Sequence, residues 1–98
     1  MLGLAARAGQ VESGEFCTER AVKGGYAECV IVASDSSDNT KKMFQNMCTY
    51  YEVPLYFYSD KGELGHAIGK EARASLALTD AGFAKQIEKR IAETKERD

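Results

Sequence analysis

The sequence predicts an α/β protein, a three-layer α/β/α sandwich around a small mixed central sheet. Three observations carry this. Short, near-continuous apolar runs read as strands covered on both faces. Segments with apolar residues at helical spacing alternate with those runs. Glycines and capping residues fall at the junctions. The 98 residues fit a single domain, spanning 1–98, with enough core to fold alone.

Residues 2–8 predict a short helix stopped by Gly9. Ser13 can cap a second helix over Gly14–Lys23, which Gly24-Gly25 ends. The run 28–33, Glu-Cys-Val-Ile-Val-Ala, is the first long strand. A polar loop follows, and Asp38 or a neighbour caps a third helix to Glu52. Its apolar positions are Met43, Phe44, Met47, Cys48 and Tyr51, one helical face. The second strand falls in 53–58, with Pro54 near its start. Asp60-Lys61-Gly62-Glu63 resembles a capping box for a fourth helix ending near Ile68-Gly69. The run 74–78 is a third strand. Thr79 or Asp80 caps a last helix that buries Phe83, Ile87 and Ile91. A further strand is expected near Gln10-Val11, and the charged tail 93–98 is expected to fray.

Composition excludes several classes. Hydrophobic residues at 44% and charged residues at 29% fit a folded domain rather than a disordered one. No apolar run approaches the roughly 20 residues of a membrane span, and the N-terminus lacks the order of a secretory signal. A cytoplasmic location without membrane partners is therefore expected. Cys17, Cys29 and Cys48 form no C-x-x-C pair, and with one histidine there is no zinc pattern. They read as reduced thiols packed as small hydrophobes.

No catalytic constellation is visible. There is no phosphate-binding glycine motif, since Gly62 and Gly65 fall inside a helix. His66 lies three residues after Glu63 without a marked nucleophile. Asp35 follows a strand, where open α/β sheets place functional groups, yet it reads better as a turn or cap residue. Tyr56 and Tyr58 could stack bases but fit interlayer packing better. The sequence therefore predicts no enzyme, no cofactor, no metal and no small-molecule substrate.

Several segments together resemble a known family. They are Leu2-Gly3-Leu4-Ala5-Ala6-Arg7-Ala8-Gly9, Ser13-Gly14-Glu15, Asp38-Asn39-Thr40-Lys41-Lys42, Tyr50-Tyr51 with Val53-Pro54, residues 63–73, and Thr79-Asp80 with Gly82-Phe83-Ala84. They resemble, in the same order and over nearly the whole chain, bacterial small ribosomal-protein-like proteins of the YlxQ type. That group belongs to the kink-turn RNA-binding ribosomal proteins, whose best-known member is the archaeal "seven-Ae" protein. The resemblance implies an α/β/α sandwich, no catalysis, and structured RNA as ligand, either kink-turn-like or ribosomal.

The resemblance also implies where RNA binds: one end of the sandwich, where three segments converge. The first carries the family motif Gly-x-Asn-Glu-x-x-Lys. Here Gly14 matches, Phe16 and Cys17 replace Asn and Glu, and Arg20 replaces Lys. The second, usually Ala-Glu-Asp, is Ala33-Ser34-Asp35. The third is the loop Lys70–Arg73. The implied RNA-binding set is Gly14, Glu15, Phe16, Arg20, Ser34, Asp35, Lys70 and Arg73, with Lys41 and Lys42 just outside it. Phe and Cys cannot make the base-edge hydrogen bonds of Asn and Glu. The helix N-terminus and Arg20 remain available to phosphate. Base reading is thus weakened, and backbone binding is retained.

A net charge of −2 runs against a typical RNA binder, although a local basic patch can act on an acidic protein. The basic residues could also be solvated surface charges, and Arg73 could pair with Glu71 or another carboxylate. The alternative function is a non-enzymatic module that binds a protein partner on the same fold.

Overall fold

The computed structural model describes the backbone of residues 2–97 and the side chains of residues 2–94. The elements are α1 (Leu2–Arg7), β1 (Val11–Ser13), α2 (Glu15–Lys23), β2 (Cys29–Val32), α3 (Asp38–Tyr51), β3 (Leu55–Phe57), α4 (Lys61–Ala67), β4 (Ser75–Leu78) and α5 (Ala81–Arg97). The helical backbone thus continues into the charged tail as far as Arg97, and Asp98 lies outside the described residues.

The four strands form one mixed sheet in the order β1-β4-β2-β3. β4 runs antiparallel to both β1 and β2, and β2 runs parallel to β3. Every residue of the two central strands is buried, which explains why neither run alternates apolar with polar residues and only Ser75 is polar.

The two sheet faces carry separate cores. Cys29, Ile31, Ala33, Leu76 and Leu78 meet Leu2 and Ala5 of α1, Leu64 of α4, and Ala84, Ile87 and Ile91 of α5. Val30, Val32 and Ala77 meet Ala21 and Val22 of α2 and Phe44 and Cys48 of α3. Helices on both faces of a mixed sheet make the three-layer sandwich. Met43 and Met47 pack at the margin of the second core, and Phe83 at the margin of the first.

One capping residue differs from the sequence expectation, that of α2. α2 is capped by Gly14, not Ser13, and no side chain bonds its free N–H groups. Gly14 has φ 90° and ψ 161°, a region that essentially only glycine occupies. Ser13 instead ends β1. α3 is capped by Ser37, whose hydroxyl accepts from the Thr40 amide at 3.2 Å. In the capping box, Asp60 accepts from the Glu63 amide at 2.8 Å. Glu63 closes onto the Ser59 hydroxyl at 2.6 Å rather than onto the backbone of Asp60. Asp80 caps α5 by accepting from the Phe83 amide at 3.0 Å.

Candidate nucleic-acid interface

The start of α2, the β2–α3 loop and the α4–β4 loop meet at one end of the sheet. The Gly14 amide donates to the Ser75 carbonyl at 3.0 Å. Beneath it, the Ser75 hydroxyl donates to Thr18 Oγ1 at 3.3 Å, with both residues fully buried. The Ala33 amide and the Ser36 hydroxyl both donate to the Ala74 carbonyl, at 2.8 and 3.3 Å. These bonds tie the three segments together through Ala74 and Ser75, at the entry to β4.

Phe16 stands out on this end. The residue is 73% exposed, and the Arg20 guanidinium lies 5.6 Å from its ring centroid. The pair follows from α2 itself, because residues four apart share a helix face. Arg20 is exposed, and its ion pair with Glu12 is long at 3.8 Å. Such a contact contributes little in water, so the guanidinium is available. The neighbouring Tyr26 hydroxyl holds the Arg20 pKa above its ordinary value, and the group stays cationic. Glu15 is exposed in the first turn, and Cys17 is half-buried.

Arg73 is held differently. Its Nε donates to the Ser13 hydroxyl at 3.3 Å, and its Nη1 donates to the carbonyls of Ala72 and Glu71 at 3.0 and 3.4 Å. It therefore bonds the carbonyl of Glu71. Among the described residues no carboxylate pairs with it. The α4–β4 loop is fixed from below by Gly65, where an added Cβ would stand 1.9 Å from the Glu71 carbonyl oxygen.

Asp35 is occupied within the fold. Its Oδ1 accepts from the Lys61 amide at 2.9 Å, at the start of α4. The turn-or-cap reading describes what it does. Ser34 is exposed and lines a concavity with Lys41, Lys42, Gln45 and Phe57. That brings Lys41 and Lys42 to the rim of the same end. Tyr56 and Tyr58 pack against the first core, and Tyr56 donates to Glu88 at 2.6 Å. They serve interlayer packing. Among the described residues, no group of three or more acidic, cysteine or histidine side chains could hold a metal, and no helix is long and apolar enough to cross a membrane.

Sequence reasoning gave Ser13 a different role, as a helix cap, and missed the hydrogen bonds of Thr18, Ser36 and Ser75, which assemble this end without facing outward from it. Their bonds join positions up to 60 residues apart, and no local pattern announces them.

A family model described as the ribosomal protein L7Ae/L30e/S12e/Gadd45 family matches residues 1–88. The chain belongs to that family. The protein called RNA-binding protein YlxQ from Bacillus subtilis (strain 168) is 41% identical over 87 residues, covering 89% of this chain and 87% of that one. The protein of the same name from Enterococcus faecium is 38% identical over 91 residues, covering 93% and 87%. A solved structure of a protein of unknown function from Bacillus halodurans C superposes with a TM-score of 0.89 at 38% identity, covering 93% and 92%. The L7Ae-type sandwich expected from the sequence is thus the fold of this chain.

Proposed function

We propose that this chain binds RNA, as the names of its YlxQ relatives say of those proteins, that this RNA is structured, and that the chain acts as a ribosome-associated, non-enzymatic protein of the cytoplasm. The observation that carries the reading is the pairing of Phe16 and Arg20. An exposed ring beside a planar cation offers two stacking surfaces to an unpaired base. The start of α2, where no side chain bonds the free N–H groups, supplies these groups for a phosphate, with Gly14 and Glu15 at its edge. Ser34 and Arg73 border the same surface, and Lys41 and Lys42 extend it.

The mode of recognition differs from a family member that reads sheared base pairs with Asn and Glu. Phe16 replaces edge reading with stacking. Stacking accepts any base, so selectivity comes from RNA shape, and affinity for a standard kink-turn is weak and salt-sensitive.

A filter-binding titration tests this with a kink-turn RNA and an unrelated hairpin, at low and moderate salt. The parent is compared with Phe16→Ala and Arg20→Ala. Stacking on one aromatic contributes about 1–3 kcal/mol per base, so Phe16→Ala should weaken binding at least severalfold. Tight and selective kink-turn binding by the parent would overturn the stacking account. Failure to bind either RNA at low salt would leave the protein-interaction reading in its place.

A further inference from the structure

A second surface adjoins the first around the edge of the sheet. α1, α4 and the edge strand β1 enclose a cleft lined by Gly3, Ala6, Arg7, Ser13, His66 and Lys70, among others. Its floor is narrow because α1 and α4 approach closely: a Cβ on Gly3 would stand 3.2 Å from the Ala67 carbonyl oxygen. Arg7, His66 and Lys70 are all exposed. Arg7 comes from the last turn of α1, and Lys70 from the α4–β4 loop that also carries Arg73.

The charge of this cleft is one-sided. No Asp or Glu side chain lines it among the described residues, and neither Arg7 nor Lys70 has an ion-pair partner there. Strand alternation produces this. Val11 packs against the core on the α1 and α4 side, and Ser13 lines the cleft. Glu12 therefore points to the opposite face, where it meets Arg20. Glu71 follows Lys70 but does not line the cleft. An acidic protein thus keeps a wall of unpaired cations over a floor of small residues. Ser13 links the two surfaces, since it lines the cleft and accepts from Arg73.

We propose that this cleft carries the RNA backbone onward from the end of the sandwich, with Arg7 and Lys70 as phosphate-binding cations and His66 as a flanking contact. The proposal rests on the RNA-binding reading above; it places Lys70 of the implied set in this cleft and adds Arg7 and His66, which that set does not contain. It explains why Lys70, in the same loop as Arg73, faces a different surface. The ligand is a sugar–phosphate strand, because two unpaired cations with no carboxylate beside them line the cleft, and Arg and Lys are chief phosphate-contacting side chains.

The test is the salt dependence of binding to a stem-loop with a single-stranded flank. Parent, Arg7→Gln/Lys70→Gln and a control, Lys85→Gln/Lys89→Gln on α5, are compared over a range of salt. All four positions are exposed, and urea titration confirms that each variant folds. Each lost phosphate contact lowers the slope of log K against log salt by about 0.7–0.9. The cleft variant should therefore lose roughly 1.4–1.8, and the control much less. The amides of Gly69 and Lys70 and the His66 ring should also shift in NMR spectra of the parent when RNA is added. An unchanged slope in the cleft variant, an equal loss in the control, or unshifted resonances at Gly69, Lys70 and His66 in a parent that binds would each overturn the cleft alone. A parent that binds no RNA at low salt overturns the RNA-binding reading, and the cleft with it.

Discussion

The Nε of Arg73 donates to the hydroxyl of Ser13 at 3.3 Å, across 60 residues of sequence. This bond joins the α4–β4 loop to the edge strand. Three donor contacts hold Arg73 in place, so its charge is presented in one orientation rather than on a mobile side chain.

Substitution of this pair should separate charge from position. Ser13→Ala removes one hydrogen bond and should cost about 0.5–1.5 kcal/mol of stability. It leaves the cation, so the salt slope of RNA binding should stay at the parent value. Arg73→Ala removes three contacts and the charge, and should lower both stability and the slope. Urea titration and filter binding read the two effects. An Arg73→Ala variant with the parent slope would show that this guanidinium meets no phosphate.

Two glycines should be intolerant for different reasons. Gly14→Ala places a Cβ in a backbone region costing on the order of 1–3 kcal/mol, although open space surrounds the site. Gly65→Ala drives a Cβ to 1.9 Å from the Glu71 carbonyl oxygen and 2.5 Å from its carbon. Backbone cannot yield as a flexible side chain can. The α4–β4 loop must move, at about 1–3 kcal/mol or more. Gly65→Ala should therefore weaken RNA binding without removing any RNA-contacting atom. Urea midpoints and filter binding check this; parent-like RNA affinity in Gly65→Ala would show that loop position is immaterial.

The central strands and the amphipathic helices were legible because each is a local pattern. Cys29–Val32 is apolar throughout, Ser75–Leu78 is apolar but for Ser75, and α3 and α5 repeat at helical spacing. Caps were harder. Ser13 has the side chain of a capping residue, but its hydroxyl is engaged by Arg73 from far along the chain. Ser37 and Asp38 are adjacent and equally suited to cap α3, and only the backbone decides between them. The family motif named Phe16 and Arg20, but their stacking contact requires the helix to exist first. The cleft of Arg7, His66 and Lys70 draws on α1, α4 and a loop, so no single window of sequence contains it.

Stability should fall at high pH through two acids, the part-buried Tyr56 phenol and the buried Cys29 thiol. Tyr56 is pushed up from 10.0 to about 12, first by its hydrogen bond to Glu88 and then by burial. Burial pushes the Cys29 thiol up from 9.0 to about 12. Both pKa values are higher in the folded chain, so the unfolded chain loses these protons first. Their contribution is complete below about pH 9. It is lost as pH rises toward about 12. Urea midpoints should decline over that window, and less steeply in Tyr56→Phe and Cys29→Ala. Identical slopes in parent and both variants would contradict the account.

The three cysteines give a direct footprint of the interface. Cys29 and Cys48 are buried, and burial pushes their thiols up to about 12 and about 11. Cys17 is half-buried in the first turns of α2, next to Phe16. Alkylation proceeds through the thiolate and needs access. Iodoacetamide at pH 8 should therefore modify Cys17 in the native protein, and all three thiols in urea. Saturating RNA should slow the Cys17 reaction, because a base stacked on Phe16 covers the adjacent thiol. Cys17→Ser should leave the native protein nearly unreactive. If Cys17 reacts at the same rate with and without RNA while filter binding confirms the complex, RNA does not cover the start of α2. Rapid native labelling of Cys29 would instead show that the sheet opens on the timescale of the reaction.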